Sequence, residues 1–310
     1  MEEVIIIGSG PAAYSAALYV MDGKPVLYEG RLVGNNGPGG QLTTTTAVDN
    51  YPGFPEGTTG PRMMELMKEQ ALSRGLRIVE ETVCEVRRSG KEFVVVGEFG
   101  EERRARCVIV ATGASARRLF VTGTGDEEFW QRGVSSCAVC DGFAYVNKTV
   151  CVIGGGDAAM EEALYLASIA RRVYIIHRRS EFRARSDMVE KARNARNVEF
   201  LVPYVLEGVS GASVVERIQI RNTQTGEEKS MEMEGVFFGI GHDPNTAFLN
   251  GSGVELDENG YIATREGVFT SVEGIFAAGD VCDKKYRQAV TAACSGAESG
   301  IRAKEYLDME

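Results

Sequence analysis

Cys137 and Cys140, separated by Ala138 and Val139 and followed at once by Asp141, place two thiols and a carboxyl group within five residues. Two cysteines at this spacing can close a small disulfide ring and reopen it, giving or accepting two electrons. The adjacent carboxyl is placed to carry the proton that dithiol formation requires, as a general acid/base. Such a pair can also be half of a zinc site, but that needs a second CxxC or a histidine at ligand spacing. The two histidines are His177 and His242. His242, in Gly241-His242-Asp243-Pro244, reads as a domain-border residue rather than a base.

The cysteine pair stands between two glycine-rich fingerprints, Gly8-Ser9-Gly10-Pro11-Ala12-Ala13 and Gly154-Gly155-Gly156-Asp157-Ala158-Ala159. Residues 4–7 form a β-branched run ending at glycine, 11–20 have helical spacing, and 25–28 read as the next strand, closing on Glu29. The same strand–turn–helix–strand grammar recurs over 149–153, 154–170 and 173–176. This is the context in which a glycine fingerprint cradles a dinucleotide: the glycines admit the pyrophosphate and the helix aims its N-terminus at it. Two such units predict an α/β protein of two doubly wound, Rossmann-like nucleotide-binding domains.

The two sites differ in charge. Glu29 falls where such folds set an acid against a ribose hydroxyl pair, which suits the AMP half of FAD. At the corresponding strand end of the second unit stand His177-Arg178-Arg179, with Arg183 a turn further on. Guanidinium groups there can grip a 2′-phosphate, so the second site is expected to take NADPH, with NADH disfavoured. The competing reading of the arginines is a solvated basic face.

The chain of 310 residues suits two domains, and 44% hydrophobic with 25% charged residues is ordinary globular composition. A formal charge of −10 argues against a general nucleic-acid binder. No basic leader precedes Val4 and no long apolar stretch occurs, so neither secretion nor membrane insertion is expected. Seven cysteines with a single redox-spaced pair point to a reducing, cytoplasmic setting. Cys84, Cys107, Cys151, Cys282 and Cys294 sit among apolar or small residues and are expected to be buried structural thiols.

Further apolar runs, 107–113, 236–241 and 274–280, mark strands that break at glycine, and alanine-rich 288–307 reads as a closing helix. Their order suggests an insertion. Residues 1–116 and 246–310 would form a discontinuous FAD-binding domain, with 117–245 as an NADPH-binding domain that carries the CxxC. Two chain crossings between domains are compatible with a hinge.

Gly39-Gly40-Gln41-Leu42-Thr43-Thr44-Thr45, Asn50-Tyr51-Pro52-Gly53, Ala111-Thr112-Gly113-Ala114, Cys137-Ala138-Val139-Cys140-Asp141-Gly142, Gly279-Asp280-Val281 and Tyr286-Arg287-Gln288-Ala289 complete a series of motifs. With His177-Arg178-Arg179, their order resembles the low-molecular-weight thioredoxin reductases over nearly the full length. The resemblance implies FAD contacts at Gly8, Ser9, Gly10, Pro11, Ala12, Glu29, Gly40, Gln41, Asn50, Val83, Asp280, Arg287, Gln288 and Ala289. It implies NADPH contacts at Gly155, Asp157, Ala158, His177, Arg178, Arg179 and Arg183. It further implies that Cys140 lies against the flavin, that Cys137 attacks the disulfide of thioredoxin, and that the enzyme is a homodimer associating through the FAD domain. Rotation of the inserted domain would let NADPH and thioredoxin take turns at one flavin–disulfide pair.

Two features depart from the family pattern: Ala158 replaces a frequent serine or threonine, and Asn35, Asn36 and Pro38 alter the loop before Gly39. A flavoprotein dithiol oxidase, a reductase serving a peroxiredoxin and a non-enzymatic NADPH-sensing protein remain as alternatives.

Overall fold

The computed structural model describes residues 1–31, 38–45 and 47–309. The Asn35-Asn36 pair lies outside the described residues. In chain order the first segment gives β1 (Glu2–Ile7), α1 (Pro11–Tyr19), β2 (Val26–Tyr28), α2 (Gly60–Ser73), β3 (Arg77–Val79), β4 (Val83–Ser89), β5 (Glu92–Gly97), β6 (Glu102–Val110) and β7 (Ala114–Ala116). The middle gives β8 (Val134–Ser135), α3 (Ala138–Asp141), β9 (Thr149–Ile153), α4 (Asp157–Ala167), β10 (Arg172–Ile176), α5 (Ser186–Asn194) and β11 (Val198–Leu201). It continues through β12 (Tyr204–Ser210), β13 (Arg217–Asn222), β14 (Glu228–Glu232), β15 (Gly235–Phe238) and β16 (His242–Pro244). The last segment adds β17 (Ile275–Ala277) and α6 (Ala289–Met309). The chain divides into two compact units, one from Met1–Ser115 with Asp243–Glu310 and the other from Ala116–His242.

The first unit is built on a sheet ordered β3-β2-β1-β6-β5-β4, with β17 also on β6. Val4 to Ile7 are all buried, as a parallel strand covered on both faces requires. β6 is long enough to serve two neighbours along one edge. Its first half pairs antiparallel with β5, and Val108, Ile109 and Val110 pair in parallel with β17. Chain direction around the sheet switches between β1 and β6, so a crevice opens at the carboxyl end of β1, where Gly8 stands.

α1 is held against α6 by small residues. A β-carbon at Gly296 would sit 2.2 Å from the carbonyl oxygen of Ala12, and one at Gly300 would sit 2.5 Å from that of Ala16. The obstacle is backbone rather than a side-chain tip, so it cannot swing away. Gly296→Ala therefore forces the helices apart and disturbs the turn that α1 continues. We expect a loss of about 1–3 kcal/mol, read as a lower urea midpoint with weakened flavin retention.

The second unit has a fully parallel five-stranded sheet, β11-β10-β9-β15-β8, which switches direction between β9 and β15. A separate antiparallel sheet, β12-β13-β14, accompanies it. On β13, Ile218 and Ile220 are buried while Arg217 and Gln219 are exposed, the alternation of a half-covered strand. Both units therefore have the doubly wound α/β construction expected from sequence.

Of the five thiols expected to be buried, two are. Cys107 and Cys151 are buried and Cys282 is intermediate, but Cys84 and Cys294 are exposed. Cys84 sits at a register shift in β4 between Val83 and Glu85, which turns it outward. Cys294 follows buried Ala292 and Ala293 onto the outer face of α6. Burial pushes the Cys107 and Cys151 thiols well above the ordinary range, which makes them inert.

Candidate active site

In the first unit the fingerprint turn is dictated by close approach. Gly8 has φ +122, and a β-carbon there would lie 2.1 Å from the Ala111 carbonyl oxygen. Ser9 is buried; its hydroxyl donates to the carbonyl of Glu29 at 2.8 Å and accepts the Gly39 N–H at 2.9 Å. One side chain thus ties the turn to the end of β2 and to the segment leading into Gly40 and Gln41. Gly10 caps α1 and Pro11 opens it, while open space lies where a β-carbon of Gly10 or Gly40 would be. Backbone can approach a ligand there.

Glu29 is not a solvated strand end. It is 5% exposed, accepts the Tyr14 hydroxyl at 2.8 Å and pairs with Lys68 Nζ at 2.6 Å. Tyr14 and Lys68 carry no motif signal; only α1 and α2 bring them to β2. Burial, then the bond to Glu29, raises the Tyr14 pKa, so its proton stays on the phenol.

The remaining residues of this cradle arrive on separate loops. Gln41 donates to the Ala114 carbonyl, and Asn50 donates to the Gln288 side chain at 3.2 Å. Ala12 is buried beneath Gly279. Val83 is buried in the core, so backbone is what it can present. Asp283 shapes the approach to α6 by accepting the N–H groups of Lys285, Tyr286 and Arg287, and sequence reasoning did not find it. Arg287 has φ +49, and Gln288 accepts the first helical bond, from Ala292, just before Ala289 opens α6.

Asp280 follows β17 at the carboxyl end of the sheet. Burial, then Asp283, pushes its pKa up to about 7, with Arg287 opposing. A carboxyl drawn largely out of water at the strand end, beside a glycine-lined cradle, suits the hydroxyls of a flavin. The residues present fit FAD.

In the second unit Gly156 caps α4, again with open space at its β-carbon position. Gly155 accepts the N–H groups of Arg183 and Ala184 at 2.8 and 3.1 Å, which folds the basic loop back over the fingerprint. Asp157 does structural work here: its carboxylate accepts the Arg185 N–H at 2.8 Å and pairs with that guanidinium. Ala158, in the first turn of α4, offers no hydroxyl. His177 stacks on Phe182 at 5.3 Å; burial, helped by Arg178, Arg179 and Arg183, lowers its pKa, and the Glu181 carbonyl opposes that shift.

Arg178, Arg179 and Arg183 are exposed, and among the described residues none pairs with a carboxylate. Their neighbours do: Arg172 meets Glu199, and Arg185 meets Asp157 and Asp187. These three arginines leave a local positive patch on a chain of charge −10.

Between β8 and α4 of this unit Cys137 and Cys140 form a disulfide with Cα atoms 5.3 Å apart. Cys137 caps α3, its Sγ accepting the Cys140 N–H at 3.2 Å. Asp141 closes the turn, its N–H donating to the Cys137 carbonyl at 3.1 Å. Its carboxylate accepts the Ser135 hydroxyl, and Ser135 in turn accepts the Cys137 N–H at 3.0 Å. Burial raises the Asp141 pKa and the Ser135 bond partly offsets that. Ser135 lies two residues before the cysteine pair, a position that pattern alone does not mark. Val139, Phe143 and Val146 are 48%, 49% and 60% exposed around the disulfide. Among the described residues no cluster of His, Cys, Asp and Glu could hold a metal ion, and no helix is long and apolar enough to cross a membrane.

A sequence profile of the pyridine nucleotide-disulphide oxidoreductases matches residues 2–296. A thioredoxin reductase of Chlamydia pneumoniae is 48% identical over 309 residues, covering 98% of each chain. One from Yarrowia lipolytica is 44% identical, covering 99% of this chain and 98% of the relative. Among solved structures, a thioredoxin reductase from Giardia duodenalis superposes with a TM-score of 0.93 at 38% identity, covering 99% of each chain.

Proposed function

The chain belongs to the pyridine nucleotide-disulphide oxidoreductases, within them to the low-molecular-weight thioredoxin reductases, and on that premise we propose that it uses NADPH and FAD to reduce the disulfide of thioredoxin. The observation that carries this reading is the Cys137–Cys140 disulfide with Asp141 bonded into the same turn. FAD supplies two-electron transfer between the nicotinamide and that disulfide when it is bound. Gly8, Gly10, Glu29 and Asp280 would hold it, the carboxylates taking hydroxyl hydrogens and the turn taking the pyrophosphate.

Once reduced, the pair works as a nucleophile and a resolving thiol. The Cys140 N–H, which already reaches Cys137 Sγ, stabilises a thiolate there. Asp141, protonated further up the pH scale than an ordinary carboxyl, gives a proton to a departing thiolate. The exposed side chains of Val139, Phe143 and Val146 favour a protein substrate with an apolar rim around its disulfide. NADPH-dependent disulfide reduction, assayed with and without thioredoxin, tests the proposal. Oxygen consumption driven by a small dithiol without NADPH would favour the oxidase instead.

The choice of NADPH rests on charge. Losing one charge-assisted hydrogen bond costs about 1.5–3 kcal/mol, or roughly tenfold and more in affinity. Replacing Arg178 and Arg179 with glutamine should raise KM for NADPH by at least about tenfold and leave that for NADH nearly unchanged. The preference should narrow as salt rises, because exposed charges are screened. Steady-state kinetics with both nucleotides at two ionic strengths checks this. Equal use of NADH by the native enzyme would reduce the arginines to a solvated face.

A further inference from the structure

Ser135 closes β8 and is 3% exposed. Its oxygen accepts the Cys137 N–H at 3.0 Å, and its O–H donates to Asp141 Oδ2. A hydroxyl has a single proton to give, and here it is given to the carboxylate. Among the described residues no other side chain donates to Asp141. One buried hydroxyl therefore links the backbone of the disulfide turn to the group that handles its proton.

We propose that Ser135 is the positioning residue for Asp141, keeping its transferable proton on Oδ1 and setting the pH range over which it is held. The inference rests on the reading of Asp141 as the proton donor. In the exchange, the Cys137 thiolate bonds to one substrate sulfur, and the substrate S–S bond breaks with its electron pair leaving on the other sulfur. The Cys140 thiolate then attacks Cys137 Sγ, re-forming the Cys137–Cys140 bond and releasing the second substrate sulfur as a thiolate. The enzyme dithiol loses two electrons and the substrate gains two. Each departing thiolate takes one proton, the first from Asp141 Oδ1 and the second from solvent, which also recharges Asp141.

Two opposing effects act on that carboxyl: burial favours the neutral form and the Ser135 O–H favours the charged form. The ionisable side chains on elements packed around α3 are Tyr145 of the next turn, with Lys148 over its ring, and Asp157, Glu161, Glu162 and Tyr165 of α4. The two cysteines share the turn itself, while β8 and β15 bring no ionisable side chain. Burial, then Asp141, pushes the Tyr145 pKa up to about 12, so it stays neutral across the working range.

The test is single-turnover reduction of thioredoxin by the pre-reduced full-length enzyme across neutral and alkaline pH. In S135A the charged form loses its donor, so Asp141 keeps its proton longer. The alkaline fall in rate should move up by on the order of one pH unit. S135T keeps the hydroxyl and should restore the native profile. S135V has the shape of threonine without the hydroxyl and should follow S135A, so this pair decides the matter even if S135A folds poorly. Asp141→Asn is run alongside. If it abolishes the alkaline limb while S135A and S135V leave the limb in place, Ser135 has no positioning role and the Asp141 reading stands. If Asp141→Asn leaves the limb unchanged, the reading of Asp141 itself fails.

Discussion

Cys137→Ser and Cys140→Ser should each bring thioredoxin reduction down to background while flavin remains bound. The disulfide needs both sulfurs, and a serine oxygen can neither form that bond nor resolve a mixed disulfide. Flavin retention follows because Gly8, Glu29, Gln41 and Asp280 belong to the first unit and the cysteines to the second. The two variants should still differ. Cys137→Ser keeps the Cys140 thiol, which family resemblance places against the flavin, so this variant is the one expected to show a thiolate charge-transfer band. NADPH oxidation with thioredoxin, together with the flavin-to-protein absorbance ratio, reads both effects. Substantial turnover by either variant sinks the assignment of the pair.

Asp141→Asn should slow the thiol half-reaction by on the order of 10²–10⁴, the usual cost of removing a general acid/base. Asparagine still accepts the Ser135 hydroxyl, so the turn should keep its shape while the transferable proton is lost. The sign of the pH effect is fixed by burial, which holds the Asp141 pKa above the ordinary carboxylate value. The native carboxyl is therefore a donor at low pH and stops being one as pH rises through that raised value. The native rate should fall across that range, whereas the variant should be slow throughout and lack that fall. Rapid-reaction traces that separate flavin reduction from thioredoxin reduction would locate the loss. An unchanged rate and pH profile in the variant would make Asp141 structural.

The redox turn and both cradles were legible because each depends on local residue order. A CxxC followed by an acid, and glycines between a buried strand and a helix, mean much the same wherever the chain folds. The charge contrast between the two turns lies in the same local order, since Glu29 and Arg178-Arg179 each come just after a strand that belongs to a fingerprint unit. What sequence did not yield depends on distance in space. Lys68 and Tyr14 reach Glu29 only after α1 and α2 pack beside β2. The bond from the Arg185 N–H to the Asp157 carboxylate likewise forms only because the loop after β10 folds back over the fingerprint. Cys84 and Cys294 look like core thiols by their neighbours, yet a register shift and a helix face turn them outward. The β12-β13-β14 sheet also escaped notice, its strands following no nucleotide fingerprint.

The most direct test of the central claim is an anaerobic stoichiometry. Oxidised enzyme is given limiting NADPH in the presence of excess oxidised thioredoxin, and NADP⁺ and new thioredoxin thiols are counted together. The account predicts one thioredoxin disulfide opened, and so two thiols formed, for each NADPH consumed, with none formed by Cys137→Ser. NADPH consumed without thiols appearing, or thiols formed equally by Cys137→Ser, would contradict it.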